Sequence, residues 1–522
     1  MAKKLLAFTV AALLSVGGVA NADDTSDTQA KIQALQAQLD AIKAQLTQLQ
    51  QAQAQAAQHP GGPPPAPGPN RSFIEMEKGN NVVVRFGDQP IQFYGNLDLS
   101  LDDATKGLAD SYPQGGTPYG NHSWQGDIST NLSYIGARGA RRLSSTDSLV
   151  FQLETQIDVS ASSGITETQS NTSDVVKGGL TSRNSYIGLA NKYVGSIKVG
   201  KTDAPYKTST ARMNPFSGEW GDYSVIMGNT GGDNRTEFGT RLDHSVWWES
   251  PKWGGFAAAV LVSPGMDRAP DSSLVPEGEP DCAGGNIPGS GALQPFCNDG
   301  SFSDAYSASV SEQLKNLYVT AAYEMHKKVN RVSDLGAPTP AQVAADVADE
   351  DAAKVGAQYV FGHGGPQVSA IYESMHRYVP QFLEFQNERT RDGFWLAYTQ
   401  PLDPKSNVNF GWARANPTPG DPGQHNTPGG ANPDNMANMY TVAYKHQIDR
   451  HVGWYVDWAE TLNHTAAHYD LGAGGRGITT DCHDATTLQA FDPTTGTTYA
   501  TGPHCFAGGH LMGVSLGLDV RF

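Results

Sequence analysis

The sequence predicts an all-β protein, a sixteen-stranded antiparallel transmembrane β-barrel preceded by a single coiled-coil helix. Three observations predict this fold. From about residue 91 to Phe522, apolar and polar residues alternate with the period of two that is typical of strands. The connections between these strands alternate between short and long. The chain also has many glycines (58) and prolines (31) but only 17% charged residues, which favours short strands joined by turns.

The first 22 residues indicate a secretory signal peptide. Lys3 and Lys4 precede an apolar run over residues 5–19, and Ala20-Asn21-Ala22 supplies a small-x-small cleavage site. The run is too short for a membrane anchor, and no later segment approaches 18 consecutive apolar residues. We therefore expect an exported mature chain that begins at residue 23.

Residues 23–59 predict a helix that associates with copies of itself. Apolar residues recur at spacings of three and four, as at the a and d positions of a coiled coil. Leu and Ile are mixed at both positions, which favours three or more strands over a dimer. The predicted trimerisation seam consists of Ile32, Leu35, Leu39, Ile42, Leu46 and Leu49.

A Pro- and Gly-rich stretch at residues 60–70 follows the predicted helix. Its composition is incompatible with helix or sheet and predicts a semi-rigid polyproline spacer. The spacer marks the boundary to a different kind of sequence, which we assign to a barrel domain over residues 71–522.

The barrel strands are predicted from alternation and length. In the last strand, Val514, Leu516 and Leu518 alternate with Ser515 and Gly517. A soluble sandwich also alternates, but several candidate strands have about ten to thirteen residues, enough to cross a bilayer at a tilt. The sixteen candidates begin near residues 91, 129, 147, 182, 195, 241, 254, 303, 316, 352, 366, 392, 406, 438, 451 and 510.

The connections support a membrane barrel over a sandwich. Short connections are predicted at residues 142–146, 191–195, 249–254, 363–365, 401–405 and 448–451. Long ones are predicted at 264–302, 330–349, 380–391, 416–437 and 465–510. Short turns on one rim and long loops on the other are typical of outer-membrane barrels. With an even strand count both termini lie at the short-turn rim, which puts the coiled coil in the periplasm.

The four cysteines lie in a chain that we expect to be exported, where disulfides persist. Three pairings are open, and the local pairing of Cys282 with Cys297 and of Cys482 with Cys505 is favoured because each pair lies within one polar, Gly- and Pro-rich stretch. Cys482-His483 and His504-Cys505 are an alternative zinc ligand set. Oxidation would remove its thiolates, so we expect no metal and no cofactor.

Charge and motif content exclude several classes of function. The formal net charge of −17 and a pI near 5.2 argue against nucleic acid as a partner. No nucleophile and base are convincingly placed on neighbouring inward positions, so we do not expect an enzyme. The Gly-rich stretch at residues 472–477 is not a dinucleotide motif, because no helix follows it.

Four strand motifs and the C-terminal residue carry a resemblance to a known family. The motifs are Phe93-Tyr94-Gly95-Asn96-Leu97-Asp98, Ser182-Arg183-Asn184-Ser185-Tyr186-Ile187-Gly188-Leu189, Val194-Gly195-Ser196-Ile197-Lys198-Val199-Gly200-Lys201 and Arg241-Leu242-Asp243-His244-Ser245-Val246-Trp247-Trp248. With the terminal Phe522, roughly residues 91–522 resemble the general porins of Gram-negative outer membranes.

The resemblance implies a homotrimer in the outer membrane, surrounded by lipid and lipopolysaccharide. Its function would be passive diffusion of small hydrophilic solutes and ions through a water-filled channel. The coiled coil and spacer depart from most family members and are similar to periplasmic extensions of some substrate-specific porins. A channel specific for a sugar or an organic anion is therefore the alternative, and a tether to peptidoglycan is a further role open to the helix. A sugar-specific channel would line its pore with a row of aromatic side chains, and the candidate inward-facing aromatic is Trp395.

The resemblance also implies a pore constriction. In the family, the third extracellular loop follows the fifth strand and folds inward, which corresponds here to residues 202–240. Glu219 and Asp222 take the place of its acidic residues. The facing basic wall would comprise Arg183, Arg241, Lys198 and Arg138, of which Arg138 is the weaker match because Tyr134 stands where the family often has Arg. Opposed acidic and basic walls would orient dipolar solutes, whereas a ring of one sign would select ions by charge.

Overall fold

The computed structural model describes residues 74–76, 82–86, 89–105, 124–157, 159–160, 183–228, 238–264, 304–329, 348–378, 390–417, 434, 436–464, 467, 469, 471–472, 489–492, 497–500 and 510–522. The signal peptide, the coiled-coil helix, the spacer and the four cysteines lie outside the described residues and stay predictions. The chain divides into two units, Met1–Ser72 and Phe73–Phe522, and all described residues belong to the second.

Residues 89–521 form a closed sixteen-stranded antiparallel barrel, as predicted. Its strands are β3 (Gln89–Ala104), β4 (Gln125–Thr130) with β5 (Tyr134–Arg142), β6 (Asp147–Gln156), β7 (Ser185–Asn191), β8 (Gly195–Asp203), β9 (Arg241–Glu249), β10 (Phe256–Ser263), β11 (Asp304–Leu314), β12 (Leu317–Val329), β13 (Ala348–Val360), β14 (Gln367–Arg377), β15 (Arg391–Asp403), β16 (Ser406–Ala415), β17 (Ala437–Gln447), β18 (Val452–Asn463) and β21 (His510–Arg521). Each pairs with its neighbour in the chain.

One barrel strand is interrupted. The first part of β3 pairs with β5 and its second part with β4, so β4 and β5 together make a single crossing. The break falls at residues 131–133, where Leu132 has φ of 52°. A left-handed residue inside a strand is typical of a bulge, which bends the strand. Period-two alternation did not predict this break.

The barrel closes between its first and last strands. β21 pairs with β3 from Arg521 opposite Asn96 to Gly513 opposite Ala104. Beyond this ladder, Gly95 and Phe522 exchange two backbone hydrogen bonds, with N···O distances of 3.0 and 3.1 Å. A Cβ on Gly95 would lie 2.5 Å from Cζ of Phe522, so the Phe522 ring needs glycine at this position.

Four short strands lie outside the sixteen. β1 (Ile74–Met76) pairs with β2 (Val82–Phe86), and β2 pairs with the start of β3 at residues 89–93. β21 pairs with β3 only from residue 96 onward. β2 pairs with residues 89–93 of β3, along the part of that edge that β21 does not cover. β19 (Gln489–Asp492) and β20 (Thr497–Ala500) form a separate hairpin.

The two faces of the strands differ as a membrane barrel requires. In β21, Ser515 is 3% exposed and faces inward, whereas Leu516 is 50% exposed and faces outward. Buried inward side chains on other strands are largely polar or small, and the exposed outward ones are apolar or aromatic. This inside-out alternation confirms the predicted transmembrane barrel. Among the described residues, no helix is both long and apolar enough to span a membrane.

The helical structure in the described part of the chain follows β8. It consists of α1 (Pro205–Thr210) and two single turns of 3₁₀-helix, Ala211–Met213 and Tyr223–Val225. Pro205 stands at the start of α1, where its missing N–H costs no intrahelical hydrogen bond. These helices belong to residues 204–228, which we term the inner segment.

Candidate functional site

The inner segment lies inside the barrel and contacts widely separated strands. The backbone N–H of Tyr206 donates to Ser307 Oγ of β11 at 2.9 Å. Farther along, Trp395 of β15 donates its indole N–H to the carbonyl of Met213 at 3.0 Å. The backbone N–H of Trp220 then donates to Asp457 of β18 at 3.2 Å. The segment therefore follows the inner wall from β11 to β18.

Aromatic packing holds the middle of the inner segment. Phe216 and Tyr223 flank the indole of Trp395, with ring centroids 6.0 and 5.5 Å away, and Phe216 and Trp395 are fully buried. The Phe216–Trp395 pair is edge-to-face, a geometry that adds to the stabilisation from burial alone. Trp395 faces inward, as alternation predicts, but its ring lies beneath the segment and is closed to solutes.

The start of the inner segment is held by a buried hydroxyl. Tyr206 donates from its hydroxyl to Glu373 of β14 at 2.7 Å. Burial raises the pKa of Tyr206 well above its ordinary value, and the nearby Glu373 carboxylate raises it further. The hydroxyl therefore stays protonated and keeps its donor role at any physiological pH. On the ring face, Nζ of Lys354 lies 3.9 Å from the Tyr206 centroid.

The tip of the inner segment pairs with the connection that follows β18. The N–H of Gly221 donates to the carbonyl of Leu471 at 3.0 Å, and Trp220 forms a β-bridge with Gly472. Gly221 has φ of 73°, and a Cβ there would collide with the side chain of Thr441. Glycine is thus required at this position by both conformation and space.

The two predicted acidic residues have different surroundings. Glu219 is 5% exposed and forms an ion pair with Lys445 of β17. Asp222, equally buried, accepts from the N–H groups of Gly218 (3.0 Å) and Ser224 (2.9 Å) and so caps the turn Tyr223–Val225. Glu219 therefore binds the barrel wall, while Asp222 binds the inner segment itself.

Two of the predicted basic residues are paired with carboxylates on their own wall. Arg183 contacts Glu154 at 2.6 Å. Lys198 contacts Glu249 at 2.7 Å. Each also lies over a tyrosine ring: the Arg183 guanidinium is 4.7 Å from the Tyr134 centroid, and the Lys198 ammonium is 4.8 Å from that of Tyr186.

Arg241 lies at the base of the loop rather than on a regular strand face. Its guanidinium contacts Asp203 at 3.2 Å, and its Nε donates to Asn184 at 2.8 Å. Alternation places Arg241 on the same face as Ser245. Instead, the β8–β9 register shifts between Gly200 and Thr202, and His244 has φ of 47°. Leu242 and Ser245 are the buried pair, so alternation does not hold across this irregularity.

Arg138 has only neutral partners among the described residues. Its Nε donates to Gln92 Oε1 at 2.9 Å, and its guanidinium lies 4.7 Å from the centroid of Tyr94. The side chain is exposed. Of the four predicted bases, Arg138 is thus the one that has no carboxylate partner in the described part of the chain.

A polar cavity of about 530 Å³ lies between the inner segment and the barrel wall. Of the six predicted constriction residues, Glu219 and Arg183 line it, whereas Asp222, Arg241, Lys198 and Arg138 do not. Its other charged lining residues are Asp98, Lys405, Lys445, Asp519 and Arg521. Charges of both signs therefore surround a space that is large enough for a small solute.

Sequence reasoning missed Lys445 and Arg212. Alternation along β17 places Lys445 on the inward face with Thr441 and Ala443, so the sequence carries a signal for it. The basic residues that the family resemblance implies lie on earlier strands. Arg212, in the inner segment, donates to Gln358 and Gln313 at 2.9 Å each. It lies outside the strands, so no periodicity predicts where it points.

Comparisons with known proteins agree with this architecture. The family model described as Gram-negative porin matches residues 50–466. An anion-selective porin from Comamonas acidovorans aligns with a TM-score of 0.53 at 15% identity, covering 83% of this chain and 100% of that chain. This structural likeness concerns the fold alone.

Two further solved structures align less well. OmpF of Salmonella typhi, in complex with daunomycin, gives a TM-score of 0.49 at 12% identity, covering 84% of this chain and 100% of its own. The outer membrane channel DcaP of Acinetobacter baumannii gives 0.45 at 11% identity, covering 83% and 97%. A search of curated proteins gave no significant match.

Proposed function

The chain belongs to the Gram-negative porin family and forms an outer-membrane channel, and we propose that this channel passes small hydrophilic solutes and ions by passive diffusion. The family and the fold indicate a channel rather than an enzyme. The inner segment, which belongs to the connection between β8 and β9, would act as the constriction.

The observation that carries this proposal is the position of the inner segment. It follows the inward wall from β11 to β18 and leaves a polar cavity of about 530 Å³ lined by charges of both signs. A channel that is narrowed by a packed segment and lined by charges of both signs admits small polar solutes and excludes large ones. Glu219 and Arg183, which both line the cavity, are the constriction residues this proposal relies on most.

We further propose that the channel works as a homotrimer with its short turns in the periplasm. The predicted coiled-coil seam from Ile32 to Leu49 favours three copies, and trimers are common in the family to which the chain belongs. The predicted signal peptide leads the chain through the periplasm, which fits an arrangement with both termini on that side.

Single-channel recording on the purified mature protein tests the proposal. In a planar bilayer with potassium chloride, we expect large conductance steps that close in three equal stages, together with uptake of small uncharged sugars into liposomes at a rate that falls with sugar size. Channels that close in single unequal stages would contradict the trimer, and a lack of conductance would contradict the diffusion channel.

A substrate-specific channel is the alternative. The sugar version loses its candidate inward aromatic, because Trp395 is buried beneath the inner segment. The organic-anion version is favoured by the exposed Arg138 and Arg212, whose described partners are neutral. Saturation of the current by a micromolar organic anion would favour this alternative over unselective diffusion.

A further inference from the structure

Two exposed arginines in the barrel interior have the same kind of surroundings. Arg138 of β5 has its Nε bound to Gln92 Oε1 at 2.9 Å and its guanidinium 4.7 Å from the centroid of Tyr94. Both partners lie on β3, one strand away. The arginine is therefore held in position by an amide oxygen and an aromatic face.

Arg212 of the inner segment repeats this arrangement on the opposite side of the barrel. Its Nε and one terminal nitrogen donate to Gln358 of β13 and Gln313 of β11, each at 2.9 Å. Its guanidinium lies 4.3 Å from the centroid of Tyr318 of β12. Like Arg138 it is exposed, and among the described residues neither arginine has a carboxylate partner.

The chemistry of these partners decides what the charge can do. Amide oxygens and tyrosine rings fix the direction of a guanidinium but carry no net charge, so they orient the cation without neutralising it. The contrast is clear at Arg183 and Lys198, whose carboxylate partners Glu154 and Glu249 cancel most of their field at a distance.

The acidic residues of the inner segment do not offset the positive charge of Arg138 and Arg212 at the water-exposed surface. Glu219 is buried against Lys445, and the carboxylate of Asp222 accepts hydrogen bonds from Asn214, Gly218 and Ser224 of the inner segment. The exposed charged side chains of the inner segment are Lys207, which pairs with Asp203 at 2.9 Å, and Arg212, whose described partners are neutral. An ion in the water-filled part of the barrel thus meets Arg138 and Arg212, whose described partners are neutral, on two sides.

From this arrangement we propose that Arg138 and Arg212 are paired anion-attracting sites that make the channel prefer anions, with small carboxylates as the organic solutes it favours. This inference rests on the proposed diffusion function and names its solute class. A guanidinium offers two parallel N–H donors to a carboxylate, so each site would give an organic anion a bidentate contact on its way through.

Reversal potentials under a potassium chloride gradient test the inference. We expect wild-type channels to pass chloride in preference to potassium. Arg138→Gln and Arg212→Gln should each lower the chloride-to-potassium permeability ratio by about twofold, the effect of one unit charge several ångströms from the ion path in water, and the double variant should lower it further. Arg450→Gln, which removes an exposed charge in the short turn between β17 and β18, is the matched control and should leave the ratio unchanged.

A second measurement separates charge from geometry. Arg212→Lys keeps the charge but loses the planar pair of donors, so it should keep the chloride preference while the permeability to benzoate falls. Resistance of each variant to unfolding in detergent at room temperature shows that the barrel is intact. Cation preference in the wild type, or an unchanged ratio in the folded double variant, would overturn the inference and leave the diffusion function standing. If the wild type does not conduct at all, the proposed function itself fails.

Discussion

At the scale of single residues, the two acids of the inner segment show how partners decide a role. Glu219 and Asp222 are equally buried and three positions apart. Glu219 pairs with a cation on the wall, whereas the described donors to Asp222 are neutral groups of the inner segment. The Glu219 contact binds the inner segment to the barrel wall, and the Asp222 contacts maintain the shape of the inner segment.

A substitution at Asp222 distinguishes a capping role from an electrostatic one. Asp222→Asn keeps an acceptor oxygen for Ser224, so we expect a folded segment and conductance close to wild type. Asp222→Ala removes every acceptor and should destabilise the turn by about 1 kcal/mol, which would appear as noisy, fluctuating single-channel currents.

The reversal potential of the same two variants provides the check. If Asp222 acts in the constriction through its charge, Asn and Ala will shift the potential equally, because both remove one negative charge. We expect instead that Asn leaves the current quiet and that only Ala makes it fluctuate. Equal shifts with quiet currents in both variants would contradict the capping role.

Residue-level prediction from sequence succeeded where periodicity applies and failed where it does not. Alternation correctly predicted that Trp395 faces inward, because a strand fixes side-chain direction at every second residue. It could not show that Glu219 meets Lys445, which lies far away in the chain on β17. Contacts of the inner segment are set by long-range packing, which local pattern does not encode.

At the scale of elements, the inner segment depends on the wall strand β15. The indole of Trp395 packs against Phe216 and Tyr223 and donates to the carbonyl of Met213. This side chain therefore joins three parts of the segment to one strand, and it is fully buried.

Removing this contact should free the segment without opening the barrel. Trp395→Ala leaves a large cavity and an unpaired carbonyl, so we expect a loss of about 3–5 kcal/mol from the docking of the inner segment. The outer ladder of β15 with β14 and β16 is unaffected. In single-channel recordings, the variant should show frequent transitions between conductance levels.

A graded series makes that experiment specific. Trp395→Phe loses the hydrogen bond but keeps most of the ring contact, so its currents should lie between those of wild type and Trp395→Ala. Trp412→Ala serves as control, because Trp412 faces outward on the adjacent strand β16. If Trp412→Ala disturbs the current as much as Trp395→Ala, the effect comes from the barrel and not from the segment.

Elements were predicted well from sequence except where a strand is irregular. All sixteen predicted barrel strands are present. The first begins at Gln89, two residues before the predicted start near residue 91. The break at Leu132 and the irregularity at His244 were missed. Both residues have positive φ without being glycine, so composition gives no warning, and tertiary contacts impose the conformation.

At the scale of the whole molecule, barrel closure is complete within residues 89–522. β3 pairs with β21, and the terminal residue Phe522 binds Gly95 through two backbone hydrogen bonds. A closed barrel has no free strand edge, because its first and last strands pair with each other. Both closing strands lie within residues 89–522.

Deleting residues 23–70 should therefore separate folding from assembly. Because the closing strands remain, we expect the shortened protein to form a barrel with unchanged conductance per pore. The predicted coiled coil would contribute only to association, so its loss should lower the temperature at which trimers dissociate in detergent. Replacing the seam residues Leu39 and Ile42 by Ser in the full chain is the matched control, since it breaks the predicted seam but keeps the length. Trimers of unchanged thermal stability in both variants would contradict the predicted role of the helix in trimerisation, whereas loss of the barrel itself would show that closure requires more than residues 89–522.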